Sequence, residues 1–131
     1  MELHKDGNFL IAAKDDTPEI IISDDNTYLK ISGPSFPENA NEFYTPIIKK
    51  AIDIKPDDTQ LLTCEFNFSI LSSASNKMIY EMLTKLEKIH QQGKPILIRW
   101  FYDTFDEDML EEGEGFKESL NLDFELIEKK A

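Results

Sequence analysis

One amphipathic segment, between about residue 73 and Gly93, constrains the fold of this chain more than any other feature. Its apolar residues recur at helical spacing, and Gly93 and Pro95 predict its end. These apolar residues are Ile79, Met82, Leu83, Leu86 and Ile89. Before it, Gln60 to Ile70 alternates like a strand with one buried face; after it, Pro95 to Tyr102 is almost continuously apolar. The second run predicts a central strand covered on both faces.

The other segments extend this pattern at both ends. Further elements are predicted as β runs at 8–13 and 19–22, a hairpin turn at 24–26, strands at 27–32 and 122–127, and helices at 39–54 and 106–120. Asn39 is the predicted cap of the first helix, and Pro46 should kink it or mark its start. Gly113 and Gly115 weaken the last helix. We therefore predict a single α/β domain over residues 1–131, with a mixed sheet in which an N-terminal β section precedes alternating helices and strands.

Composition narrows the possible partners. A net charge of −12 argues against binding to nucleic acid or to an anionic membrane, and it favours a cationic protein surface. The sole cysteine, Cys64, lies in a strand-like run and is expected to be a buried, inert thiol in a reducing compartment. We find neither a signal-peptide pattern nor an apolar run near the roughly 20 residues that span a bilayer. The expected location is cytoplasmic.

Three serines crowd the predicted start of the amphipathic helix. Ser72, Ser73 and Ser75 lie where a strand gives way to the first helical turn. Such a turn has unpaired backbone N–H groups and partial positive charge, so it would accept an anion attached to a serine. The alternative is that these hydroxyls only cap the helix, since serine is among the best N-cap residues. The local pattern is compatible with both interpretations.

Four further blocks of sequence accompany this serine run. They are Ser35-Phe36-Pro37-Glu38-Asn39, Glu42-Phe43-Tyr44-Thr45-Pro46-Ile47-Ile48, Arg99-Trp100-Phe101-Tyr102-Asp103, and the acidic segment Asp106-Glu107-Asp108-Met109 with Glu112-Gly113-Glu114-Gly115-Phe116. In their order and spacing, from about Gly33 to Ile127, they resemble the SiaC-like family of bacterial regulatory phosphoproteins. These are small adaptors distantly related in fold to anti-sigma-factor antagonists of the STAS type. The resemblance implies a STAS-like α/β fold.

The resemblance also implies a function. In that family a Ser or Thr within an Asn-Thr-Ser-Ser-like motif before the second helix is reversibly phosphorylated, and alignment on Lys77 places Ser73 there. Ser72 is the second candidate acceptor and Ser75 the third. The implied circuit contains a serine/threonine kinase, a metal-dependent phosphatase and an effector enzyme such as a diguanylate cyclase. It needs no cofactor, bound metal or catalytic residue in this chain. The expected partner-contacting residues are Ser72, Ser73, Ser75, Asn76, Lys77, Arg99 and Tyr102.

A second class of function rests on other residues. The acidic cluster from Asp103 to Asp108, together with Arg99, could form a small metal-binding, ligand-binding or enzymatic site. Against this, acidic residues at a helix start are favourable to the helix dipole without any ligand. Arg99, the only arginine, could bind a carboxylate or phosphate with its planar guanidinium, or it could form an ion pair at a strand edge.

Overall fold

The structure, a computed structural model, describes residues 2–3, 7–55 and 58–129. In these ranges seven strands form one sheet in chain order, and three helices connect the last four strands. The strands are β1 (Glu2–Leu3), β2 (Phe9–Ile11), β3 (Glu19–Ile22), β4 (Tyr28–Ser35), β5 (Leu62–Leu71), β6 (Ile96–Asp103) and β7 (Asp123–Lys129). The helices are α1 (Ala40–Ala51), α2 (Ser73–Gln91) and α3 (Glu107–Ser119). The predicted α/β domain with a mixed sheet is confirmed.

The first four strands pair antiparallel, and the predicted turn between β3 and β4 is present. Asn26 adopts a φ of 59°, a left-handed conformation that asparagine tolerates better than most residues. The Ser23 hydroxyl accepts hydrogen bonds from the backbone N–H groups of Thr27 and Tyr28. Side-chain acceptors thus hold the chain in the reversal from which β4 begins.

The last four strands run parallel, each beside its predecessor. Right-handed connections between adjacent parallel strands carry all three helices over the same face of the sheet. The burial of β5 and β6 agrees, because buried and partly buried residues alternate along both strands. The expectation that β6 is covered on both faces is therefore wrong. Leu97, Arg99 and Phe101 face the side without helices and are only partly buried.

Capping residues set the helix starts. The Asn39 side chain accepts a hydrogen bond from the N–H of Glu42 at 3.0 Å, which confirms the predicted cap of α1. The helix begins at Ala40, so Pro46 lies inside it and does not mark its start. It ends at Ala51, earlier than predicted, where the N–H of Ile52 bonds to the carbonyl of Ile48. Asp106 caps α3 in the same way, by accepting from the N–H of Met109 at 3.0 Å.

Trp100 is the centre of the core between the sheet and α3. It is fully buried, its indole N–H donates to the carbonyl of Met109 at 2.9 Å, and its ring contacts two sheet aromatics and one helix aromatic. These are Phe66, Phe68 and Phe116, with centroids 5.8, 5.8 and 5.4 Å away. Gly113 lets α3 approach this ring, because a Cβ there would lie 2.5 Å from Trp100 Cδ1. A glycine that weakens the isolated helix therefore permits its packing.

The two glycines of α3 give a matched pair of stability predictions. Gly113→Ala should lower the free energy of unfolding by about 1–3 kcal/mol, because the added methyl meets Trp100 and Leu126. Gly115→Ala should raise it by about 0.5–1 kcal/mol, because nothing lies within 4 Å of the new Cβ and alanine favours the helix. Urea denaturation of both variants checks this. Equal effects would show that Gly113 is not a packing constraint.

Candidate functional site

The start of α2 lies at the edge of the sheet where the parallel strands end. Ser72 is extended, with φ −70° and ψ 159°, and its hydroxyl accepts a hydrogen bond from the N–H of Ser75 at 3.1 Å. Its own N–H donates to the carbonyl of Ser35 at 2.9 Å, at the end of the neighbouring strand β4. Ser72 is therefore the N-cap of α2, and the capping interpretation is confirmed for this residue.

The three serines have different environments. Ser73, the first residue of α2, is exposed, whereas Ser72 is half-buried. Ser75 has no exposed area, and its hydroxyl accepts a hydrogen bond from the Ser35 hydroxyl at 2.9 Å. The prediction of Ser75 as a contact residue and third candidate acceptor is thus corrected, because its side chain lies in the core. Of the three hydroxyls, that of Ser73 is the most accessible to another protein.

A buried network of hydroxyl groups lies beneath this helix start. The hydroxyls of Ser35 and Tyr44 are 2.5 Å apart, and since Ser35 donates its one hydrogen to Ser75, the phenol is the donor to Ser35. Burial raises the pKa of Tyr44 to about 12, although the Ser35 and Ser75 hydroxyls, which can turn to donate to a phenolate, act in the opposite direction. The network joins β4, α1 and α2. Sequence reasoning did not assign Ser35 or Tyr44, since only the fold shows that these distant hydroxyls meet.

The electrostatics of the helix start suit an added negative charge. The first turns of α1 and α3 contain acidic residues, Glu42 in one and Glu107 with Asp108 in the other, whereas the first turn of α2 has none. Lys77 is exposed four residues after Ser73, a spacing that brings two side chains together on a helix surface. An anion on Ser73 would therefore have the partial positive charge of the helix and one lysine nearby.

Asn76 connects the same helix start to α3. Its side-chain N–H donates to a carboxylate oxygen of Glu112 at 2.5 Å. Asn76 was predicted as a contact residue, and it is half-buried beside α3. Glu112 was not predicted, because the sequence gives no sign that these two helices approach each other here.

Arg99 and Tyr102 project from opposite faces of β6. Arg99 is on the face of the sheet without helices, where it pairs with Glu65 at 2.8 Å and Glu125 at 3.2 Å. Its guanidinium lies 5.6 Å from the centre of the Phe101 ring. Of the two interpretations of Arg99, the ion pair is present, but β6 lies between β5 and β7, so the predicted position at a strand edge is wrong. Tyr102 is half-buried and packs against the core. Arg99 therefore lies on the face opposite the helix that carries the serines.

The acidic cluster is likewise separated from Arg99. Asp106 is used as the cap of α3, and Asp103 lies 3.8 Å from Lys129. Within residues 2–3, 7–55 and 58–129, no group of three or more His, Cys, Asp or Glu is arranged to hold a metal ion.

Cys64 is fully buried, and burial raises the pKa of its thiol. In the same described ranges, no helix combines the length and apolarity needed to cross a bilayer.

The fold and this helix start define a small two-layer α/β domain that presents an accessible serine at a capped helix N-terminus. Residues 11–129 match the model of the SiaC family regulatory phosphoproteins, and the chain belongs to that family. A relative, uncharacterised protein PA14_02130 of Pseudomonas aeruginosa strain UCBPP-PA14, is 31% identical over 98 residues, which cover 75% of this chain and 78% of the relative.

Solved structures agree. Apo-SiaC from Pseudomonas aeruginosa superposes with a TM-score of 0.80 at 27% identity, over 92% of this chain and 98% of that one. The structure of the diguanylate cyclase SiaD in complex with its activator SiaC, also from Pseudomonas aeruginosa, matches with a TM-score of 0.81 at 27% identity, over 92% and 99% of the two chains. The resemblance inferred from the sequence is confirmed. This chain is a regulatory phosphoprotein of the SiaC family.

The different roles of Ser72 and Ser73 can be tested by measuring the free energy of unfolding of two variants. Ser72→Ala should lower the free energy of unfolding by about 1 kcal/mol, because the N–H of Ser75 loses its acceptor. Ser73→Ala should change it by less than about 0.5 kcal/mol, because the side chain is exposed. Equilibrium urea denaturation followed by circular dichroism measures both. Equal losses in the two variants would contradict the assignment of Ser72 as the cap.

Proposed function

We propose that this chain is a non-enzymatic adaptor that is switched by reversible phosphorylation of Ser73. The observation that carries the proposal is the exposed Ser73 hydroxyl on a capped helix start without an acidic first turn, in a member of the SiaC family. Ser72 is the second candidate, although its hydroxyl is occupied in capping. A serine/threonine kinase adds the phosphate, and a metal-dependent phosphatase removes it. The adaptor acts in the cytoplasm.

The effector is an enzyme that the unphosphorylated adaptor binds and regulates. SiaC of Pseudomonas aeruginosa is the activator of the diguanylate cyclase SiaD and forms a complex with it. The matching fold supports a diguanylate cyclase as the effector of this chain too, and hence a place in cyclic-di-GMP signalling and biofilm regulation. In this proposal the chain itself contributes a surface and no catalytic group.

Phosphate on Ser73 changes the surface and leaves the fold intact. It adds about −1.5 to −2 charges, which a helix N-terminus tolerates. A partner that packs against the neutral Ser73 hydroxyl would have to remove water from a dianion after phosphorylation. Lys77 lies nearby, but it belongs to this chain, so the partner itself supplies no cation to offset the cost of removing that water. Binding to the effector is therefore weaker after phosphorylation.

The site of modification can be determined by mass spectrometry. Co-expression with the kinase of its circuit should add one phosphate to the wild-type chain and to Ser72→Ala, and none to Ser73→Ala. Fragment spectra should place the phosphate on Ser73. Phosphate confined to residues outside Ser72 to Ser75 would contradict the proposal, and phosphate on Ser72 would move the switch by one residue.

The effect on the effector can be measured by calorimetric titration against a purified diguanylate cyclase of the circuit. Ser73→Asp should bind about a hundredfold more weakly than Ser73→Ala, a difference of about 2.7 kcal/mol, because one poorly paired charge is buried in the complex. Gln91→Glu adds the same charge at the opposite end of α2 and should bind like wild type. All three variants should melt within a few degrees of wild type. Equal affinity of the two Ser73 variants would leave Ser73 without a switching role.

A further inference from the structure

Exposed apolar side chains collect at the edge of the sheet beside the start of α2. Five large apolar residues are exposed in the described ranges, and three of them lie at the ends of consecutive parallel strands. Phe36 follows β4 and is 43% exposed, Ile70 lies near the end of β5 and is 54% exposed, and Phe105 follows β6 and is 94% exposed. Single exposed apolar residues are ordinary, whereas a row of them indicates an interaction surface.

Phe105 is held outward by local structure. It lies in the turn between β6 and α3, which is closed by a hydrogen bond of 3.0 Å from the N–H of Asp106 to the carbonyl of Asp103. Asp106 also caps α3, so the residue after Phe105 is fixed through both its backbone and its side chain. The ring is therefore presented to solvent by an anchored turn.

Two depressions join this ring to Ile70. One, of about 480 Å³, contains Phe105 and Asp106 in its wall, and the other, of about 370 Å³, contains Asp106, Ile70 and Leu71. Asp106 borders both, so the two depressions are neighbours on the surface. We call the region from Ile70 to Phe105, including its acidic rim, the carboxyl-edge surface.

The rim of this surface is acidic. Asp108, Glu111 and Glu112 of α3 line the smaller depression together with Asp106. Lys129 lines the larger one, but it lies 2.6 Å from the side chain of Asn67 and 3.8 Å from Asp103. The whole chain has a net charge of −12. Apolar side chains within an acidic rim are complementary to a basic segment that also carries apolar side chains.

The carboxyl-edge surface is continuous with the helix start that bears Ser73. Leu71, in its wall, is followed directly by the cap residue Ser72. Glu112, on its rim, accepts the hydrogen bond from Asn76 in the first turns of α2. A segment bound on this surface therefore lies beside the proposed site of phosphorylation.

We propose that the carboxyl-edge surface docks a basic, amphipathic segment of the effector enzyme. Its apolar side chains pack against Phe105 and Ile70, and its lysine or arginine side chains pair with the carboxylates of α3. These cations are engaged by α3, so a phosphate on Ser73 has no cation of the effector to pair with and still weakens binding. This inference rests on the proposed function for the existence of an effector. It adds the chemistry of the segment that is recognised and the residues that recognise it.

The test uses the full unphosphorylated chain and a defined probe. The probe is an amphipathic helical peptide of leucine and lysine, about 18 residues or five turns long, and the control peptide has glutamate in place of lysine. Titration of the ¹⁵N-labelled chain should shift the amide signals of Ile70, Phe105 and the start of α3. The control peptide should shift none of them. Shifts confined to other regions, or no binding of the basic peptide, would overturn the proposal.

Matched variants separate this surface from general acidity. Phe105→Ala should weaken binding of the basic peptide about fivefold, the effect of losing roughly 1 kcal/mol of interaction, and Asp108→Asn about threefold. Leu61→Ala removes a 50% exposed side chain before β5, at the opposite edge, and Glu118→Gln removes one charge near the other end of α3; neither should change the affinity. Equal losses in all four variants would show nonspecific attraction and would refute the proposal.

The same variants distinguish this inference from the proposed function when they are titrated against the diguanylate cyclase. If Phe105→Ala and Asp108→Asn bind the cyclase like wild type while Ser73→Asp binds weakly, the docking proposal fails and the phosphorylation switch stands. If the first two bind weakly while Ser73→Asp binds like wild type, the docking proposal stands and the switch fails.

Discussion

The hydrogen-bonded junction between the end of β4 and the start of α2 determines what this domain presents to a partner. The backbone of Ser72 bonds to Ser35, and the side chain of Ser35 bonds to Ser75. Two polar contacts, one on each side of Ser73 in sequence, therefore tie the helix start to the sheet. Because the network is buried, water does not compete for its hydroxyls, and Tyr44 extends it into α1. Ser73 is exposed, but the chain that carries it is fixed.

Charge is divided between two separate parts of the surface. On the open face of the sheet, Tyr28, Glu65, Arg99 and Glu125 form a row across four strands, in which the single arginine is shared by two carboxylates. In this row both carboxylates are paired with the arginine, and the sum of the three charges is −1. At the edge where the parallel strands end, Asp108, Glu111 and Glu112 line one depression, and none of the ion pairs among the described residues involves them. A basic partner is therefore attracted to that edge more than to the open face.

The sequence predicted the secondary structure well where periodicity was strong. The helix from Ser73, the alternating strand β5 and the cap at Asn39 all followed from local pattern. It failed at β6, because Leu97 and Phe101 continue the apolar run on a face that no helix covers. An apolar run shows which residues avoid water, but the number of helix layers depends on the order of the strands in the sheet. Because β4 to β7 lie in chain order, their right-handed connections place all three helices on one face.

The candidate site was predictable only in part, for a similar reason. Local pattern and family resemblance indicated the serine run, but no local rule places the Ser35 hydroxyl beside Ser75, forty residues away. For the same reason the sequence grouped Arg99 with the serines, although β6 directs it to the open face. Contacts of this kind depend on the register between strands, which distant parts of the chain determine.

The departures of this chain from the family motif are consistent with this geometry. The alignment on Lys77 that the resemblance implies places Ser72 where the Asn-Thr-Ser-Ser-like motif has asparagine. Both residue types cap helices well, so the helix can begin at the same place. At the position of the motif's first serine this chain has Ala74, which is exposed. Alanine cannot accept a capping hydrogen bond, and none is needed there, because the Ser72 hydroxyl already accepts from the N–H of Ser75. The motif's last serine is retained as Ser75, the one whose hydroxyl is buried in the network. The side chains of Ser72, Ser73 and Ser75 have different environments because successive residues of a helix point about 100° apart. Capping, exposure and anchoring thus fall to different residues, and only Ser73 presents its hydroxyl without a structural role.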